Sequence, residues 1–175
     1  VGEQESVEIG LFEAAFRDID LPMGLRVDSV HLTGASLRLF KDPLRALAPE
    51  PGKVRIVVLE EALTQFVGRK PPWGMKNFRV RIADGKLFFE ATKTVLVDLK
   101  VKGVCTLRIQ DESSVFVDLE SVDVVGAGIT QLVQSHIDEL NPILTTTMLP
   151  FPAKLKTLEM LDGKATLWGE ISPPE

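Results

Sequence analysis

The chain has 175 residues, 45% hydrophobic and 26% charged, with a net charge of −5. These figures place it among globular chains and exclude a disordered tail, a collagen-like repeat or a polar linker. One cysteine (Cys105) excludes an internal disulfide framework and a multi-cysteine metal site, two histidines (His31, His136) leave little for a zinc enzyme, and the acidic balance argues against nucleic-acid binding.

At 19.3 kDa, folding buries roughly 70% of the unfolded chain's surface, enough for an independent core. A single domain over residues 1–175 is expected. No apolar run approaches the roughly 18 residues of a membrane-spanning helix. The sequence opens at Val1 rather than Met, as a processed form lacking a signal or anchor segment would.

The elements follow in chain order. Leu11, Phe12, Ala15, Phe16 and Ile19 fit a helix, while Val7, Ile9 and Leu11 fit a strand equally well. Val27–Phe40 has the outline of a hairpin with Thr33-Gly34 at its turn. Pro43–Gly52 reads as a proline-rich connection. Leu59, Ala62, Leu63, Phe66 and Val67 then share one helical face, with Glu60 and Glu61 in the first turn and Gly68 at the stop. The loop Gly68–Asn77 holds Arg69, Lys70 and Lys76 around Trp73 and Met75.

Strands fill the middle of the chain. Phe78, Val80 and Ile82 alternate with Arg79 and Arg81, and the Asp84-Gly85 pair signals a two-residue hairpin turn. Val95, Val97, Leu99 and Val101 alternate with Leu96, Asp98, Lys100 and Lys102, and Gly103 is expected to break that strand before Cys105, Leu107 and Ile109. Val115, Val117 and Leu119 continue the pattern. Period two with one polar face is the mark of antiparallel sheet.

Ile129, Leu132, Val133, His136, Ile137 and Leu140 then give the cleanest amphipathic helix in the chain, which stops before Asn141-Pro142. Thr145–Pro152 carries Met148, Leu149 and Phe151 in a segment its prolines keep out of helix. Asp162-Gly163 closes a last hairpin.

Charge is uneven. Residues 51–102 hold eleven bases and five acids, between two acidic thirds. Folding turns such a middle either into a positive surface or into an ordinary solvated face.

Catalytic motifs are missing: no G-x-S-x-G, no H-E-x-x-H and no P-loop. Val124-Val125-Gly126-Ala127-Gly128 lacks the third glycine and the parallel-sheet context of a dinucleotide turn, so no cofactor is expected. His136 on an apolar helix face reads as a core histidine, and Cys105 as a buried thiol. Asp84 and Asp162 already serve as turn residues. No metal site and no catalytic residue emerge; a hydrolase would need His136 beside a nucleophile. What the sequence has in excess is apolar surface, enough to line a groove for an acyl chain or to fill an ordinary core.

From Val54 to Ile171 the order of features resembles the LmeA-like phospholipid-binding family. The resemblance rests on Leu59-Glu60-Glu61-Ala62-Leu63, then Ala83-Asp84-Gly85-Lys86-Leu87, then Leu140-Asn141-Pro142-Ile143-Leu144. It closes with Leu149-Pro150-Phe151-Pro152 and the Asp162-Gly163 hairpin ending in Trp168-Gly169. Residues 1–50 match only in outline. The resemblance implies an α+β, tubular lipid-binding (TULIP-like) fold: a highly twisted antiparallel β-sheet wrapped around a long helix. It further implies non-catalytic binding of a phospholipid or other fatty-acyl ligand at membranes, outside the cytoplasm or attached to a membrane, with no catalytic residues to transfer.

Groove candidates are Leu63, Phe66, Phe89, Leu132, His136, Ile137, Leu140, Met148, Leu149 and Phe151. Candidates for contact with an anionic membrane surface are Arg69, Lys70, Trp73, Met75 and Lys76, because Trp favours the interface and Lys or Arg favours anionic lipid. The alternative is a structural or protein-interaction domain of a cell envelope, with its apolar surface consumed as core.

Overall fold

The computed structural model describes residues 6–41, 45–47, 50–69, 74–123 and 128–171. Among these, thirteen strands and two helices follow one another. The first half holds β1 (Ser6–Ile9), β2 (Phe12–Asp20), β3 (Arg26–Gly34), β4 (Leu37–Phe40), β5 (Arg45–Leu47), β6 (Gly52–Leu59), α1 (Glu60–Gly68) and β7 (Met75–Ala83). The second half holds β8 (Lys86–Thr94), β9 (Asp98–Gln110), β10 (Ser114–Asp123), α2 (Ile129–Leu140), β11 (Leu144–Thr145), β12 (Ala153–Leu161) and β13 (Lys164–Ile171).

Every strand pair is antiparallel. One five-stranded sheet runs β7-β8-β9-β10-β11, a second runs β12-β13-β6-β3-β2, and β1, β4 and β5 form a small third. The stretch 7–19, open between helix and strand in the sequence, is therefore strand. Residues 26–34 and 52–59 carry a buried, mostly branched-aliphatic row (Val27, Val30, Leu32; Val54, Ile56, Val58), which suits the centre of the second sheet.

The Asp-Gly turns form as expected. Asp84 and Gly85 have φ of 53° and 75°, and Asp162 and Gly163 have φ of 50° and 79°, the left-handed pair that a type I′ hairpin requires. These turns also join the sheets. Gly85 N–H donates to the Met160 carbonyl, Gly163 N–H to the Ile82 carbonyl, and Leu155 N–H to the Glu112 carbonyl.

Helix α1 is fixed to the outer edge of β7 by side chains. The Val80 N–H donates to Thr64 Oγ1 (3.0 Å) and the Ile82 N–H to Glu60 Oε2 (2.8 Å). Residues 60 and 64 are one helical turn apart and residues 80 and 82 share one strand edge, so the two spacings match. The outward N–H groups of this edge strand would otherwise be unpaired. Helix α2 is fixed at its C-terminal end. Asn141 accepts from Val117 N–H and donates to the Val117 carbonyl, both at 2.8 Å, standing in for one more residue of sheet beside β10.

Five expectations need correction. Val27–Phe40 is not a hairpin: β3 pairs with β2 and β6, and β4 with β1 and β5 in another sheet. The long helix is not there among the described residues: α1 has nine residues and α2 twelve, or about 18 Å. They lie on a sheet rather than threading it. Gly103 does not break its strand, since β9 runs unbroken from Asp98 to Gln110. Its missing Cβ instead makes room for the ring of Phe89, whose nearest atoms would lie 2.2–2.3 Å from a Cβ there.

Val95-Leu96-Val97 is not strand but the tip of the β8–β9 hairpin. Finally, β7 bulges between Lys76 and Arg79 with Asn77 at φ 55°, so Met75 and Phe78, three apart, both turn inward. The glycine-rich stretch 124–127 lies outside the described residues.

Much of the uneven charge is absorbed between strands. Lys86 pairs with Glu120 (2.7 Å), Arg108 with Asp118 (2.8 Å) and Lys102 with Glu90 (3.6 Å), while the Arg81 guanidinium stacks on Phe88. Such exposed pairs stabilise little, but they neutralise part of the positive middle.

Candidate functional site

Helices α1 and α2 cover the β7–β10 face and leave a cavity between themselves and the sheet. Leu63, Phe66 and Val67 come from α1, and Val133, His136, Ile137 and Leu140 from α2. The floor is Met75, Phe78, Val80, Leu87, Phe89, Cys105 and Val117, with Ile143 at one end. The floor residues come from successive strands because inward positions two apart recur in β7, β8, β9 and β10. The cavity volume is about 70 Å³.

The walls are apolar apart from the His136 imidazole and the Cys105 thiol. His136 is 7% exposed and its Nε2 has no hydrogen-bond partner. Its ring lies 6.4 Å from that of Phe78. Burial lowers its pKa from the ordinary 6.5, partly opposed by Glu139 and by the Val67 backbone carbonyl. The ring is therefore neutral near pH 7. The Cys105 thiol is pushed up to about 12, by burial first and then by Glu120 and Asp118. A thiol held protonated is a poor nucleophile. Among the described residues no group of three or more His, Cys, Asp or Glu is placed to hold a metal ion, and no helix is long and apolar enough to cross a membrane.

Of the groove candidates, Leu63, Phe66, Phe89, His136, Ile137 and Leu140 meet in this cavity. Leu132 is half-buried on α2 but outside the lining, and Met148 packs on the core elsewhere. Leu149 and Phe151 border a separate shallow depression beside Glu112 and Ser113. Of the surface candidates, Met75 is 2% exposed and belongs to the cavity floor, so it cannot touch a membrane. Arg69 is exposed beside Gly24, and Lys76 lies 3.9 Å from Asp98. Lys70 and Trp73 lie outside the described residues. The floor residues Phe78, Val80 and Val117 were readable as apolar faces of two strands, but not as the faces turned toward the helices.

A family model described as LmeA-like phospholipid-binding matches residues 12–170. The chain belongs to the LmeA-like phospholipid-binding family. The match extends well before Val54, so β2 and β3 are part of the family pattern although the motifs there are weak. No curated protein and no solved structure matches the chain. Membership in the LmeA-like family makes phospholipid the ligand class to set against the cavity.

Proposed function

We propose that this protein binds a phospholipid without catalysis, taking an acyl chain into the cavity between α1, α2 and the β7–β10 sheet. The carrying observation is the lining: fifteen residues, apolar except for one neutral imidazole and one protonated thiol, in a member of a phospholipid-binding family. An aliphatic chain gains from such a wall by leaving water, at roughly 25 cal/mol per Å² of apolar surface buried.

At about 70 Å³ the cavity is well below the roughly 300–1,000 Å³ of small-molecule sites and holds only a segment of a chain. Uptake of a whole chain therefore requires α2 to move away from the sheet about its Asn141 anchor. Residues 1–175 act as one such module, of the tubular lipid-binding kind. Loading takes place at a membrane surface, outside the cytoplasm, for transfer or storage of the lipid.

The protonation of Cys105 and His136 supports the non-catalytic reading. They wall the same cavity, yet burial keeps one protonated and the other uncharged, so the pair carries no thiolate. A second reading, a protein-interaction domain with a filled interior, has the small enclosed volume on its side. Native mass spectrometry with a phospholipid panel separates the two. A discrete adduct of phospholipid mass supports the groove. Bare protein after mixing, with its circular dichroism unchanged, supports the filled interior.

A further inference from the structure

The tip of the β8–β9 hairpin has no place in the core. Val95, Leu96 and Val97 are 64%, 97% and 65% exposed. Three adjacent aliphatic side chains in water are a poor choice for a hairpin turn, where polar and glycine residues serve better. The tip is nevertheless well formed. Thr94 Oγ1 donates to Asp98 Oδ1 (2.6 Å) and the Val95 N–H to the Val97 carbonyl (3.2 Å).

The surroundings are cationic. Lys76, Arg79, Lys93, Lys100 and Lys102 lie on the adjoining lengths of β7, β8 and β9, against Glu90 and Asp98 there and Asp123 opposite Lys102 on β10. Glu90 faces Lys102 and Asp98 faces Lys76 and Thr94, so neither carboxylate stands alone before the tip. The cavity reaches the same end of the sheet: Met75, on its floor, pairs in register with Lys93, two residues from the tip.

We propose that Val95-Leu96-Val97 inserts into the surface of an anionic bilayer, with the neighbouring lysines and Arg79 on the headgroups. An aliphatic tip whose flanking strands carry more cations than carboxylates fits a surface with an apolar interior and a negative face; each nearby Lys or Arg adds attraction that salt screens. This deepens the lipid-binding reading by placing the cavity's Met75 end against the membrane. It rests on that reading only for the purpose of docking, not for the contact itself.

The test is a Leu96→Cys variant carrying an environment-sensitive fluorophore. Labelling is selective because Cys105 is buried and its thiol stays protonated. With phosphatidylcholine vesicles containing 30% phosphatidylglycerol, the probe shifts to the blue and is quenched by nitroxide-bearing lipid. Pure phosphatidylcholine or 0.5 M salt weakens the response. Leu96→Asp lowers partitioning onto anionic vesicles roughly tenfold or more, while Leu11→Asp, at another exposed aliphatic residue, leaves it unchanged.

Three results overturn the proposal. The first is no vesicle binding at all. The second is vesicle binding that neither shifts the probe nor responds to Leu96→Asp more than to Leu11→Asp. The third is a probe shift without vesicles that grows with protein concentration, which would mean a second copy covers the tip. Phospholipid adducts formed from detergent-dispersed lipid are measured on the Leu96→Asp variant in parallel. Their persistence after loss of vesicle binding would leave the cavity reading intact, and their absence from the wild type would sink that reading separately.

Discussion

Filling the cavity should strengthen the fold and abolish its function. Val133 is buried on α2 and faces the enclosed space. An unfilled hole costs about 24 cal/mol per Å³, so the 70 Å³ enclosed here costs about 1.7 kcal/mol. Val133→Phe places a ring into it. The gain cannot exceed that figure, and imperfect fit removes part of it, leaving about 1 kcal/mol. For a chain of this size that raises Tm by about 2–4 °C. Urea denaturation and a thermal scan give the stability, and native mass spectrometry gives lipid occupancy. The expected pair of results is a higher Tm with phospholipid adducts reduced at least tenfold. A variant that is more stable but still loads lipid like the wild type would refute the reasoning, because the acyl chain would then lie elsewhere.

Three further outcomes follow from the anchors and the imidazole. Asn141→Ala leaves the Val117 N–H and carbonyl unpaired beside β10, and should cost about 2–4 kcal/mol in urea denaturation, with faster amide exchange in α2. Thr64→Val removes the acceptor for the Val80 N–H on the edge of β7 and should cost about 1–3 kcal/mol, whereas Thr64→Ser retains most of the wild-type stability. The folded protein holds His136 below its ordinary pKa, so the unfolded chain takes up the proton first as pH falls. Stability from the neutral ring is complete above about pH 6.5 and declines as pH drops from there toward the lower folded-state value. His136→Leu should remove that slope from urea midpoints between pH 7 and 5.

The two helices and the Asp-Gly turns were readable because their signals are local: a 3.6-residue apolar period in one case, left-handed φ in the other. The hairpin tip was not. Thr94-Val95-Leu96-Val97-Asp98 has no Gly, Pro or Asn, and its alternation runs without a break into β9, so pattern alone extends the strand through a turn. Met75 was misplaced because the loop was read through Asn77, whereas β7 already begins at Met75. A bulge at Asn77 shifts the inward face by one residue, and nothing in the local sequence announces it. Half of the cavity was visible as the apolar stripe of α2 and α1. The other half is contributed by strand positions whose inward or outward sense is fixed only when the sheet acquires its covering helices.

The depth of the cavity depends on a residue that the sequence presented as a strand breaker. Gly103 sits on the inner face of β9, opposite Phe89 in β8, and its φ is not in the left-handed region. The backbone there therefore tolerates a side chain, and what excludes one is the Phe89 ring lying over the glycine. Gly103→Ala puts a methyl group where that ring rests, with the Ser121 carbonyl 3.0 Å away on the other side. The ring can relieve the clash by rising from the sheet into the cavity that it lines. Overpacking of this kind costs about 1–3 kcal/mol.

The variant should be less stable and load less lipid, opposite in stability to Val133→Phe but alike in loading. Adding Phe89→Leu should restore both, since the shorter side chain clears the new methyl group and leaves the space open. If Gly103→Ala loads lipid normally while losing stability, Phe89 has moved without entering the ligand's space. The acyl chain would then have to run between the helices rather than along the floor of the sheet.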